Sequence, residues 1–162
     1  MKTGDETGVT RRAVRAEDET FLSALYASTR AEEVAAWGWT AAQQEAFLRM
    51  QFQAQRQAYQ WQYPGAEEQI IWREERPIGR LMVYRTAAEI RLVDIALLPE
   101  ARGTGLGGRL IQALLDEAQQ VGTPVRLHVT HDNRAAHLYA RLGFKLVSET
   151  ASHLFMEWSP VV

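Results

Sequence analysis

Four glycines within six residues, Gly103, Gly105, Gly107 and Gly108, separate a β-rich run at residues 89–98 from a run with helical periodicity. This turn limits the chain more than any other feature. Glycine enters the left-handed region without steric cost, so the backbone can turn sharply with its N–H groups exposed, and the following helix adds the positive end of its dipole. Two glycines would serve a plain strand-to-helix connection. Four of them beside Arg102 fit a phosphate or pyrophosphate.

The segments on either side define an α/β chain. A strand candidate at residues 11–15 precedes a helix at 16–29, with Phe21, Leu22, Leu25 and Tyr26 at helical spacing and Glu17, Asp18 and Glu19 in its first turn. A short helical piece at 32–36 ends at the Trp37-Gly38-Trp39 break. Thr40 then caps a glutamine-rich helix at 41–62, whose apolar stripe of Phe47, Met50, Ala54, Ala58 and Trp61 is expected to pack inward. Short β-rich runs follow at 69–73, 78–85 and 89–98. Next come a helix from Leu106 to Val121, a strand at 125–130, a helix at 133–142 and closing strands at 144–148 and 154–158. This order gives a mixed sheet of about seven strands flanked by helices in a single domain over 11–162, after a loose terminus over 1–10.

With 162 residues the chain needs no staple to hold a core, and it has no cysteine, which removes thiolate metal sites and cysteine nucleophiles. A formal charge of −2 disfavours nucleic acid and anionic membranes as partners. No apolar run approaches the roughly 20 residues that span a bilayer, and residues 1–10 do not read as a signal peptide, so a cytoplasmic location is expected. His128 and His131 have no further ligand gathered around them, and no metal is expected.

Gly103, Gly105 and Gly108 also match the dinucleotide pattern G-x-G-x-x-G, but the next strand, 125–130, carries no carboxylate for a ribose. Only 54 residues follow Gly108, too few for the rest of a doubly wound domain.

A second pattern covers more of the chain. Arg102, Gly105 and Gly107 resemble the pyrophosphate signature R/Q-x-x-G-x-G/A of the GNAT acyl-CoA N-acetyltransferases, and Leu97-Leu98-Pro99-Glu100 resembles the V-x-P-E approach to it. Downstream, Asn133, Ala136, Leu138, Tyr139, Gly143 and Phe144 resemble the family helix N-x-x-A-x-x-L-Y-x-x-x-G-F. Asn133 lies six residues before Tyr139 where seven is commoner, which puts Asp132 at the usual asparagine place; Asn133 is assigned the cap and the cofactor contact. Residues 20–62 correspond to the family's variable helical region.

The resemblance implies acetyl-CoA as acyl donor, held where two neighbouring parallel strands splay apart, here 94–98 and 125–130. The backbone of Ala96, Leu97 and Leu98 would bond the pantetheine amides and the thioester carbonyl. Arg102, Gly103, Thr104, Gly105, Leu106, Gly107 and Gly108 would cradle the pyrophosphate, with Asn133 and Ala136 as further cofactor contacts. Tyr139 matches the tyrosine that protonates the departing thiolate, a task suited to a phenol with an ordinary pKa near 10. The candidate bases are His128, facing away from Leu127 and Val129 on its strand, and Asp94; a water relay or a neutral substrate would need neither. The expected function is transfer of an acetyl group to a primary amine of a small molecule or peptide, in a monomer or homodimer. The alternative is an acyl-CoA-binding sensor or partner subunit of the same fold.

Overall fold

The structure, a computed structural model, describes the backbone of residues 3–4 and all of residues 8–162. The chain divides into two compact units, one of Met1–Met82 with Asp94–Arg102, the other of Val83–Val93 with Gly103–Val162. Of its three boundaries, those after Met82 and Val93 cut through strands and the third, after Arg102, falls in the glycine turn.

In the first unit, β1 (Thr3–Gly4) pairs antiparallel with β2 (Val9–Ala13), and β2 pairs antiparallel with β3 (Glu67–Arg73) from Val9↔Arg73 to Ala13↔Gln69. Strand pairing therefore begins before residue 11; Met1, Lys2 and residues 5–7 of the expected loose terminus lie outside the described residues. A two-residue turn links β3 to β4 (Arg76–Arg85). In it Glu74 and Glu75 take φ of 49° and 65°, the left-handed pair a tight hairpin requires. β5 (Ile90–Leu97) lies next to β4, giving the order β1-β2-β3-β4-β5.

Helix α1 (Glu19–Ala35) merges the two helical pieces expected between residues 16 and 36, because Arg30 and Ala31 between them are good helix formers. The chain enters it through a single 3-10 turn over Ala16–Asp18. There the nearly buried Asp18 accepts the Arg15 N–H at 2.7 Å and both Nη atoms of Arg12 at 2.8 Å. Thr40 caps α2 (Ala41–Gln62) as expected, through reciprocal bonds with Gln43.

The face of α2 is the main departure. Phe52 is its buried residue and packs with Leu22 and Ile70, whereas Met50 is 59% and Trp61 89% exposed. The apolar period marks a real stripe, but the stripe faces solvent, because Phe52 sits on the opposite side of the helix.

In the second unit, the ends of β4 and β5 continue to β6 (Val125–Thr130), β8 (His153–Trp158) and β7 (Lys145–Glu149), in the order β4-β5-β6-β8-β7. β5 and β6 run parallel, with Ile90↔Val125 and Arg91↔Arg126 as the registered pairs. β6 is antiparallel to β8 over its whole length. Helix α3 (Leu106–Val121) buries Leu106, Leu110, Ile111, Leu114, Leu115 and Ala118, and Gly122 ends it at φ 71°. Val121, expected on that face, is exposed. The short α4 (Ala135–Arg141) precedes β7. The result is a mixed sheet flanked by helices, as the sequence implies, with four α-helices among the described residues. No helix among the described residues is long and apolar enough to cross a membrane.

One close approach holds β5 to β4. A Cβ on Gly79 would lie 2.5 Å from the Ala96 carbonyl oxygen and 2.7 Å from Leu97 Cδ2, below any real contact. Gly79→Ala is expected to cost about 1–3 kcal/mol, because the clash is with backbone that cannot move aside cheaply. An unchanged urea midpoint would show that the two strands are not packed this tightly.

Candidate active site

In the first unit, the end of β5 carries Asp94, Ala96 and Leu97, and Leu98 follows directly. Successive backbone groups of a strand point to opposite edges. The Leu98 N–H donates to Ile78 O of β4 at 2.8 Å, so by alternation the Leu97 N–H faces the edge away from β4. Of the three backbone positions expected to meet the donor, Leu98 thus has its N–H committed within the fold. Arg102 donates from Nε to Leu97 O at 2.9 Å and reaches Ser28 Oγ from Nη2 at 3.4 Å. Its side chain is exposed and ties the start of the glycine turn to the end of β5, with guanidinium donors to spare.

Asp94 is anchored by an arginine that sequence reasoning missed. Arg80, 4% exposed on β4, donates to Asp94 Oδ2 from both Nε and Nη2, to Glu68 Oε2 of β3 at 3.2 Å and to Gln55 Oε1 of α2 at 3.2 Å. Glu68 also pairs with Arg56 at 3.3 Å. The Tyr59 ring lies 6.0 Å from the Arg80 guanidinium, and burial, reinforced by the Asp94 charge, pushes its phenol well above the usual range. Asp94 Oδ1 accepts no hydrogen bond among the described residues, and the side chain is about one-quarter exposed. One carboxylate oxygen is therefore fixed and the other is presented. The clue in the sequence was an arginine between Ile78 and Leu81 in an apolar strand, since a buried arginine requires partners.

In the second unit, Gly103 and Gly105 take φ of 72° and 83° immediately before α3. A Cβ on Gly103 would meet nothing within 4 Å, so the turn opens onto free space. Gly107 and Gly108 belong to the first turn of α3 and have no positive φ, so two of the four glycines set the turn and two keep the helix start bare. The first N–H groups of any helix lack intrahelical acceptors. Together with the left-handed glycines they offer backbone donors of the kind that suit a pyrophosphate. Leu106 is 1% exposed, so it offers its backbone only.

The N-cap of α4 is Arg134, which makes no side-chain cap bond, so the cap expected at Asn133 falls one residue later, with Asn133 just ahead of the helix. The Asn133 Oδ1 accepts the Ala135 N–H at 2.9 Å and its carbonyl accepts that of Ala136 at 3.1 Å, whereas Asp132 makes no such bond. Tyr139, one turn further, is 5% exposed with its ring 5.6 Å from Phe144. His128 is exposed on β6, away from Leu127 and Val129 as the alternation predicts, and stacks on Phe155 at 4.8 Å. Arg91 Nη1 donates to His128 Nδ1 at 3.0 Å. A guanidinium can only donate, so Nδ1 is the acceptor and the ring's proton sits on Nε2. Partial burial first, and the Arg91 charge second, hold the imidazole below its usual pKa. Both candidate bases are thus bonded to an arginine.

The acetyltransferase (GNAT) family profile matches residues 18–144. A protein from Mycobacterium tuberculosis described as a GCN5-like protein acetyltransferase is 35% identical over 92 residues, covering 51% of this chain and 44% of the relative; the match spans less than half of that relative's length. Among solved structures, the PaiA N-acetyltransferase of Thermoplasma acidophilum in complex with coenzyme A aligns with a TM-score of 0.69 at 18% identity, over 93% of this chain and 98% of its own. The spermidine N-acetyltransferase of Vibrio cholerae, with CoA and spermine, aligns at 0.64 and 18% identity, over 95% and 96%. The fold and the two motifs define an acyltransferase architecture. The chain belongs to the acetyltransferase (GNAT) family.

Gly105→Val forces a β-branched residue to a positive φ, with Arg109 Nη1 already 3.3 Å from the added Cβ. It is expected to lower stability by about 1–3 kcal/mol. Titration calorimetry on the folded variant should show CoA binding weakened by an order of magnitude or more. Unchanged CoA affinity would remove the turn from the cofactor site.

Proposed function

We propose that this protein transfers the acetyl group of acetyl-CoA to a primary amine of a small molecule or peptide by direct attack on the thioester. The observation that carries this reading is the turn in which Gly103 and Gly105 take left-handed backbone immediately ahead of the bare first turn of α3. The motif from Asn133 to Phe144, with a nearly buried Tyr139 in it, supports it.

Acetyl-CoA, when bound, supplies a carbonyl carbon open to attack and a sulfur that can leave. The N–H groups of residues 103–108 and Arg102 bind the pyrophosphate, while Asn133 and Ala136 add contacts at the start of α4. The Leu97 N–H, on the outer edge of β5, donates to the thioester oxygen as it gains charge, the interaction that accelerates acyl transfer most. Tyr139 holds a proton on its phenol oxygen for the departing sulfur.

Neither Asp94 nor His128 takes the amine's proton in this reading. His128 has its Nδ1 lone pair directed at Arg91, and accepting a proton there would break that bond. Asp94 is held by Arg80, with Oδ1 presented as a polar contact that orients the incoming amine before it loses its proton. The amine reaches the thioester already neutral, having lost its first proton to water, and the second proton that its nitrogen sheds after attack restores the Tyr139 phenol once that phenol has protonated the sulfur.

Release of free CoA with a panel of amines tests the transfer directly; acetyl-CoA binding without release on any amine would instead mark a non-catalytic acyl-CoA-binding protein. Tyr139→Phe is expected to lower kcat by about 10²-fold or more with a smaller change in the acetyl-CoA KM. Wild-type turnover under rate-limiting chemistry would return Tyr139 to packing.

The acidic limb of the pH profile of kcat/KM should move with the pKa of the acceptor when amines of different basicity are compared. It should also survive His128→Gln. A limb fixed for every amine and abolished by that substitution would make His128 the base after all.

A further inference from the structure

The first unit holds a cleft of about 440 Å³ where the end of β2 and the start of β3 meet α1 and α2. That volume lies within the range of about 300–1,000 Å³ that takes small organic ligands. Val14 and Leu22 give the cleft an apolar floor, and Ala13, Ala16 and Ala66 stand where longer side chains would fill it. None of Asp94, Arg80, Gln55 and Tyr59 lines it. The helical period explains the separation: on α2, Arg56 points about 100° from Gln55 and about 60° from Tyr59, the two side chains of that helix beside Arg80. The cleft therefore opens on a different flank of α2 from the Arg80–Asp94 pair.

Two charged side chains line this cleft with bonding capacity to spare. Arg56, its side chain 21% exposed, uses Nη1 alone, which meets both Glu68 oxygens at 3.3 Å. Its Nε and Nη2 donate to nothing among the described residues. Arg12 shows the contrast, with two parallel bonds of 2.8 Å to Asp18. Arg56 also shares its counter-ion, because Glu68 Oε2 accepts from Arg80 at 3.2 Å. Glu19 Oε1 accepts from Gln53 Nε2 at 2.7 Å, and no cation pairs with this carboxylate among the described residues. The neutral amide orients Glu19 without cancelling its charge. Arg15, the other arginine of the lining, pairs with Glu17 at 3.6 Å.

We propose that this cleft binds a free aliphatic α-amino acid, at a site separate from the one where the acceptor amine meets Asp94. The ligand's carboxylate lies on Nε and Nη2 of Arg56, a planar fork of donors that matches two carboxylate oxygens. Its ammonium lies against Glu19, and its side chain covers Val14 and Leu22. Charge decides the class of ligand. A simple anion would be repelled by Glu19 and Glu68, and a simple cation by Arg56. A ligand that carries both charges a few bonds apart satisfies the open donors and the unpaired carboxylate together, and the three alanines leave space for its apolar part.

The test is titration calorimetry of the whole chain with L-leucine, in the absence of acetyl-CoA. A single saturable site per chain is expected. Leucine methyl ester lacks the free carboxylate and isocaproate lacks the ammonium, so each is expected to bind about tenfold or more weakly, having lost one charge-assisted contact. Glu19→Gln, at an exposed position, and Arg56→Gln are expected to weaken leucine binding to the same degree, with thermal melts showing that both variants are folded. Asp94→Asn is expected to bind leucine as the wild type does. The absence of a saturable heat up to the solubility limit of leucine would overturn the proposal. So would an affinity undiminished in folded Arg56→Gln and Glu19→Gln, or one lost in folded Asp94→Asn, which would make leucine an occupant of the acceptor site.

Discussion

A guanidinium removed from water must be bonded on every side that carries a proton, and Arg80 meets that demand by drawing together four elements. Asp94 comes from β5, Glu68 from β3 and Gln55 from α2, with the Tyr59 ring alongside. Removing one partner of such a set leaves an uncompensated buried charge, typically at a cost of about 3–5 kcal/mol. Arg80 is the last of three consecutive β4 residues that grip β5: Ile78 accepts the Leu98 N–H, Gly79 admits the Ala96 carbonyl and Arg80 fixes Asp94. These three contacts decide which backbone groups at the end of β5 are used inside the fold and which face outward. The proposed role of Leu97 depends on them.

The same pairing logic governs the second unit. Arg91 bonds His128 and Glu89 and lies over the Phe155 ring at 5.3 Å, while Glu89 also takes Arg126. In each unit a side chain chosen from sequence as a base is fixed by a permanent cation, which suits orientation and charge placement better than proton exchange. Catalysis in this reading rests on placed N–H donors and one phenol. That division explains why side-chain chemistry was sparse in the sequence.

Much of the architecture was legible because its causes are local. Left-handed backbone at Gly103, Gly105 and Gly122 needs glycine, Thr40 and Gln43 cap each other within one turn, and α3 shows its buried leucines at helical spacing. Asn133 bonds the Ala135 N–H just ahead of α4 through a contact equally local. What escaped depends on distant residues. Periodicity found the stripe on α2 but could not tell that Phe52, and not the stripe, would meet Leu22 and Ile70. The partners of Arg80 lie 12 to 25 residues away and that of Arg91 lies 37 away, so their effect on Asp94 and His128 was invisible. Gly79 looked like an ordinary strand residue until Ala96 O was found against it.

The central claim is that β5 presents the Leu97 N–H to the acyl donor while the Leu98 N–H serves the fold. Amide hydrogen exchange by NMR, with and without saturating acetyl-CoA, reads both groups in one experiment. The account predicts a protected Leu98 amide in either state and a Leu97 amide that exchanges faster in the free protein and gains strong protection on binding. A Leu97 amide whose exchange is unchanged by bound acetyl-CoA would contradict it.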